Sequence, residues 1–279
     1  MLDLPGRGRT HVIDIPGPPG APTLVLLHAL GCTANLSWFP SVAALSPHYR
    51  LVMFDQRWHG RGIRSERFRL DDCADDVVAV ADALGIDRFV PVGYSMGSVV
   101  AQLVWQRHRD RVDGLVLCAG TRSFRVGRHE RVGLALLERA MTPLGRHARE
   151  RAERLAARLL DCPPGMSAAD VAVSSWAMKE FRSTSFWAML AAVGEIGTFD
   201  SSPWIGEVDV PTSVVVVDGD HMIPTRRQRE LAESIPGAVT YEVAGSHAAL
   251  VLGAEAFVPV LVEACRSVSA RSARRVVAS

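Results

Sequence analysis

Residues 89–107 read FVPVGYSMGSVVAQLVWQR. The apolar run FVPVG (89–93) suits a strand buried on both faces, and Ser95 to Arg107 suits a helix. The five residues at the join, GYSMG (93–97), form a G-x-S-x-G pattern. Alone, that pattern arises often by chance. Between a strand and a helix it describes a sharp turn that strains its middle residue and exposes the hydroxyl, while the flanking glycines remove side chains that would collide. Ser95 is therefore a candidate nucleophile. The helix behind it points N–H groups and a positive dipole end toward a forming oxyanion. The plainer reading is a tight turn that happens to contain serine, and the strand–turn–helix context weighs against it.

Further apolar runs lie on either side: TLVLLH (23–28), RLVMFD (50–55), VDGLVLCAG (112–120), TSVVVVD (212–218) and AVTYEV (238–243). Helical stretches separate them at 38–45, from Asp71 (a plausible N-cap) to Leu84, at 225–234 and near 254–268. Strand–helix alternation implies right-handed parallel crossovers, hence a mostly parallel α/β sheet with helices on both faces. Residues 2–15 read as a hairpin around Pro5-Gly6-Arg7-Gly8. The rhythm breaks at 121–204, which holds helical patterns and no convincing strand. This gives a core of 1–120 and 205–279 with a helical cap, 121–204, inserted after the fourth motif-bearing strand. The tail ARSARRVVAS (270–279) is expected to fray.

Composition narrows the function classes. The 279 residues include 31 Lys plus Arg against 30 Asp plus Glu, a formal net charge of +1. That balance gives no general pull toward nucleic acid or an anionic membrane. Lys179 is the only lysine, which reads as the codon bias of a high-GC genome. The five cysteines are scattered without a CxxC pair, against a disulfide framework or zinc site. No GxxxxGK[ST], HExxH or EF-hand loop occurs. The N-terminus lacks an apolar run of signal-peptide length, and no run approaches the ~18 apolar residues that span a bilayer. A cytoplasmic protein needing no metal or cofactor is expected.

A serine hydroxyl needs a base. Among nine histidines, His247 lies in VAGSHAAL (243–250), on a loop after the last strand and before the last helix. Parallel sheets place functional loops at the carboxyl ends of strands, the edge that Ser95 also occupies. His108, His129 and His147 read as surface residues, His11 and His48 as hairpin and loop residues, and His221 competes only by adjacency. The third group must hold the imidazole's tautomer and stabilise its positive charge. Asp218 and Asp220 both follow the run VVVV (214–217); Asp220 is preferred, with Asp218 in reserve.

The chain order Ser95, Asp220, His247 and the motifs LLHALG (26–31), FDQRWHGRG (54–62), GYSMG (93–97), DGDHMIP (218–224) and GSHAAL (245–250) resemble the α/β-hydrolase superfamily, including small esterases and cofactor-free haloperoxidase-like perhydrolases. The resemblance implies an oxyanion site built from the backbone amides of Leu30 and Met96. The sequence departs from the family pattern twice. Ala29 replaces the glycine of the usual His-Gly pair, implying a different or more restrictive loop, and Trp58 stands where the Asp-x-Arg-Gly-His-Gly loop has glycine. Asp55, Arg57, His59 and His28 read as braces near the site.

Residues 121–160 hold ten arginines and four glutamates. A solvated cap face is the favoured reading, and a guide for an anionic substrate the sharper one. Trp176, Met178, Phe181, Phe186, Trp187, Met189 and Leu190 read as cap core, some lining a pocket roof. The expected function is hydrolysis of an ester or related acyl bond in a small, moderately hydrophobic substrate. The alternatives are an acyltransferase, motivated by Ala29 and the arginine-rich cap, and a non-catalytic ligand receptor.

Overall fold

The computed structural model describes residues 1–124 and 168–278. In chain order the strands are β1 (Leu2–Leu4), β2 (Gly8–Thr10), β3 (Val12–Ile15), β4 (Thr23–Leu27), β5 (Arg50–Phe54), β6 (Val90–Tyr94), β7 (Leu115–Cys118), β8 (Thr212–Asp218) and β9 (Val239–Ala244). The helices are α1 (Ala34–Leu45), α2 (Leu70–Ala83), α3 (Met96–Arg107), α4 (Ala168–Arg182), α5 (Phe186–Ile196), α6 (Thr225–Ser234), α7 (Ala249–Leu252) and α8 (Ala254–Ala278).

Side chains alternate across the sheet, as strand geometry requires. On β4, Val25 and Leu27 join one apolar cluster with Val77, Val99, Val104 and Leu231, from α2, α3 and α6. Leu24 and Leu26 point the other way, to Trp38, Leu45, Phe257 and Leu261 of α1 and α8. Both faces are therefore core, which is why the central strands are apolar throughout. Seven strands run in the order β3-β5-β4-β6-β7-β8-β9. Within this sheet, among the described residues, only β3 is antiparallel to its neighbour. The α/β class, the mostly parallel sheet and the helices on both faces thus agree with the sequence reading.

Several boundaries differ. The N-terminal hairpin pairs only Leu2–Leu4 with Gly8–Thr10, and Val12–Ile15 instead adds an edge to the main sheet. Helix α1 starts before Trp38, because Thr33 caps it by accepting the Leu36 amide at 3.1 Å. Asp71 is not an N-cap: α2 begins at Leu70 behind Arg69, and Asp71 and Asp72 occupy its first turn, where negative charge meets the helix dipole. The tail, expected to fray, is helical. Helix α8 continues to Ala278, and Arg271 donates to the carbonyls of Thr212 (2.8 Å) and Gly237 (3.1 Å). At the same amino edge of the sheet Arg111 donates to the carbonyls of Asp87 and Ile86, at 2.6 and 2.8 Å, and Arg275 to that of Asp209.

Between β7 and β8 the described residues supply α4, α5 and a short neck. In the neck the Phe124 amide donates to the Phe199 carbonyl at 3.0 Å and the Ser201 amide to the Arg122 carbonyl at 2.7 Å. The Ser201 hydroxyl also reaches Gln102 of α3 at 2.8 Å. Most of the arginine-rich stretch, from 125 to 160, lies outside the described residues. Among the described residues no helix is long and apolar enough to cross a membrane.

Candidate active site

The turn after β6 holds Ser95 at φ 56°, ψ −115°, a conformation that costs about 1–3 kcal/mol and persists only where the surroundings enforce it. They do so by close approach. A Cβ on Gly97 would lie 2.1 Å from the Leu27 carbonyl oxygen, and one on Gly93 2.1 Å from that of Gly97. The Ser95 amide is tied to the Cys118 carbonyl of β7 at 3.0 Å. Ser95 is only 7% exposed.

His247 reaches the same edge from the loop after β9. Its Nε2 lies 2.9 Å from Ser95 Oγ, and its Nδ1 lies 2.6 Å from Asp220 Oδ2. A carboxylate only accepts, so Nδ1 carries the proton and Nε2 is left as acceptor for the serine hydroxyl. Asp220 is buried on the loop after β8, where its Oδ1 accepts the amides of Met222 (2.8 Å) and Ile223 (3.0 Å). Burial raises its pKa, but the hydrogen bond from His247 and the amides of Ile223 and Met222 outweigh that, leaving it below the ordinary carboxylate value. Asp218, the reserve candidate, is exposed and lies 4.0 Å from Arg229. His221 is also exposed.

Two residues here were not singled out from sequence. The Tyr94 phenol donates to the His247 carbonyl oxygen at 3.0 Å, and its ring lies 5.7 Å from the imidazole. Gln228 of α6 donates from Nε2 to Asp220 Oδ2 at 3.1 Å. A glutamine in a surface-type helix, eight residues past an aspartate, was the available signal, and it becomes meaningful only when α6 is folded back on β8 and buries it.

The loop from His28 to Thr33 begins where β4 meets the start of α3: a Cβ on Gly97 would lie 3.0 Å from the His28 carbonyl oxygen. Among the described residues neither the Leu30 nor the Met96 amide has an intramolecular acceptor. Ala29 does not have positive φ; the left-handed residue in this loop is Gly31, at φ 76°. The alanine therefore imposes no backbone strain, contrary to the restriction expected from sequence. A Cβ on Gly31 would sit 2.9 Å from Met189 Sδ of α5 and 3.5 Å from Phe181 Cε2 of α4, so insert helices pack directly on this loop. Two hydrogen bonds fasten the same contact. Thr33 Oγ1 donates to Glu180 Oε2 at 2.5 Å, and the Gly60 amide donates to Thr184 Oγ1 at 3.1 Å.

The bracing residues lie in this loop and in the one after β5. Asp55 accepts the amides of Ala34 and Arg61, each at 2.9 Å, and Arg57 pairs with buried Asp76 at 2.5 Å. Trp58 takes φ 63°, the conformation that explains the family's glycine; its indole Nε1 is held 3.1 Å from the Ser65 carbonyl oxygen. His28 donates from Nδ1 to the Ala29 carbonyl at 2.8 Å and accepts the Gln56 amide on Nε2 at 2.8 Å. Desolvation lowers the pKa of His28 to about 4 and of His59 to about 3.

These buried imidazoles predict acid lability. Their folded pKa values lie below the unfolded value of 6.5, so from pH 6.5 down to about 4 the unfolded chain binds more protons and stability falls with pH. The expected loss between pH 7 and pH 5 is on the order of 2 kcal/mol per histidine. Urea midpoints at the two pH values measure it, and a flat response would show that the rings are not held neutral.

The model of the family described as alpha/beta hydrolase fold matches residues 22–254. The chain belongs to this family. Among curated α/β-hydrolase relatives, 3-oxoadipate enol-lactonase 1 of Acinetobacter baylyi is 39% identical over 95 residues, spanning 34% of this chain and 35% of that protein. RutD of Agrobacterium fabrum strain C58, named as a carbamate hydrolase, is 28% identical over 77% of this chain and 82% of that protein. Among solved structures, the enol-lactonase from Burkholderia xenovorans LB400 superposes with a TM-score of 0.76 at 25% identity, covering 95% of this chain and 99% of that one. The protein is a hydrolase of the α/β family.

Proposed function

We propose that the protein cleaves an ester, lactone or carbamate-type acyl bond in a small, moderately hydrophobic molecule, with Ser95 as nucleophile, His247 as base and Asp220 as its partner. The observation that carries this is the unbroken hydrogen-bond chain from Ser95 Oγ through both ring nitrogens of His247 to Asp220 Oδ2. In the first half-reaction Oγ bonds to the carbonyl carbon as its proton passes to Nε2. The imidazolium then protonates the leaving group, and an acyl-serine remains. Water loses a proton to Nε2 and attacks, releasing the acid and the free hydroxyl. The amides of Leu30 and Met96 are assigned to the oxyanion. Asp220, held ionised, balances the imidazolium.

The substrate class draws on the relatives' names, which cite an enol-lactone and a carbamate. Residues 121–204 are proposed as a cap over the core, with Met189 and Phe181 as apolar wall beside the oxyanion loop. The test is covalent labelling by a fluorophosphonate, in which Oγ displaces fluoride from phosphorus. Mass spectrometry is expected to find the adduct on the peptide containing Ser95. An unlabelled protein, or a label elsewhere, would defeat the assignment and favour a ligand receptor. Product analysis with added alcohols or thiols separates hydrolysis from acyl transfer, and free acid is expected to dominate.

A further inference from the structure

Asp220 uses both oxygens fully. Oδ1 takes two loop amides, and Oδ2 takes His247 Nδ1 together with the side-chain amide of Gln228. Gln228 is itself completely buried and has no rotational choice. The Val217 amide of β8 donates to it at 2.9 Å, which requires oxygen on that side. The NH2 group must then face the other way, where both neighbours are acceptors: Asp220 Oδ2 at 3.1 Å and the Ile223 carbonyl at 2.8 Å. Strand β8 thus orients the glutamine, and the glutamine orients the carboxylate.

We propose that Gln228 is a positioning residue for the reaction, holding Asp220 Oδ2 where it meets the His247 Nδ1 proton. This rests on the catalytic reading of Ser95, His247 and Asp220 and adds to it. Without the Gln228 donor, Oδ2 keeps only the imidazole to fix its direction, and the carboxylate can turn about its Oδ1 contacts. The imidazole then loses alignment toward Ser95 Oγ, which slows the chemical step and leaves substrate binding unaffected.

The test uses Q228L and Q228E, with activity expressed per active site titrated by a fluorophosphonate so that misfolded protein does not count. Q228L removes the donor at similar volume. It is expected to lower kcat by about 10- to 100-fold with KM within about twofold, the scale of losing one hydrogen bond to a charged group. Q228E keeps an oxygen for the Val217 amide, but its second oxygen faces two acceptors and does the amide's work only while protonated. Its kcat is therefore expected to acquire an alkaline limb that wild type lacks, as that carboxyl ionises beside Asp220. Unchanged kcat in Q228L, or a wild-type pH profile in Q228E, overturns the proposal. If Q228L does not fold, Q228E decides alone. An active Ser95→Ala protein would remove the catalytic reading itself, whereas wild-type-like Gln228 variants beside an inactive Ser95→Ala protein would remove only this assignment.

Discussion

Ser95→Ala is expected to lower kcat/KM for short p-nitrophenyl esters by about 10⁴- to 10⁶-fold, the range of losses seen when a nucleophile of this kind is removed. The substitution deletes one oxygen at a position whose backbone is fixed by its neighbours, not by its own side chain. The Gly93 and Gly97 contacts and the Ser95 amide bond to Cys118 all remain. The variant should therefore fold as wild type does, with Asp220 still on His247, and the whole deficit should appear in turnover. Matching circular dichroism together with lost activity is the expected pair. Full activity in the variant would mean that another group attacks the carbonyl.

Asp220→Asn is expected to cost about 10⁴ in kcat, and by a different route. The asparagine oxygen can take over the Met222 and Ile223 amides only by pointing its NH2 at His247 and Gln228. The imidazole must then accept on Nδ1, so its proton moves to Nε2 and the lone pair that would take the serine proton disappears. Turning the amide round leaves its NH2 facing two backbone donors instead. The first arrangement leaves no base, the second keeps one only by setting the NH2 against two backbone donors, and neither balances an imidazolium. Steady-state kinetics across pH check this, and a loss below about tenfold would show that the carboxylate's charge and acceptor role are dispensable.

Much of the sheet could be read from sequence because strands buried on both faces leave unmistakable apolar runs: 212–218 matches the observed strand residue for residue. Features set by a single local contact were harder. Thr33 starts α1 earlier than the apolar pattern at Trp38 suggests, and Arg271 gives the C-terminal segment a reason to stay helical. Residue type and strand order led to Ser95, His247 and Asp220, whose side chains lie within hydrogen-bond distance in the order Ser95, His247, Asp220. The supports at Tyr94 and Gln228 were not anticipated, since each acts through a partner more than twenty residues away or across a fold-back that local patterning does not encode. Ala29 misled because a glycine-to-alanine change signals strain only where φ is positive, and sequence alone does not say which residue of LLHALG carries it.

The arginines at the amino edge of the sheet have a consequence for engineering. Arg111 and Arg271 each straddle two backbone carbonyls with one planar fork, fastening the strand entrances at the end of the sheet away from the loops that carry Ser95, Asp220 and His247. An ammonium group has no such span, so the near-absence of lysine from this chain doubles as architecture. Lysine-for-arginine redesign there would loosen the scaffold's hem while leaving its working rim intact.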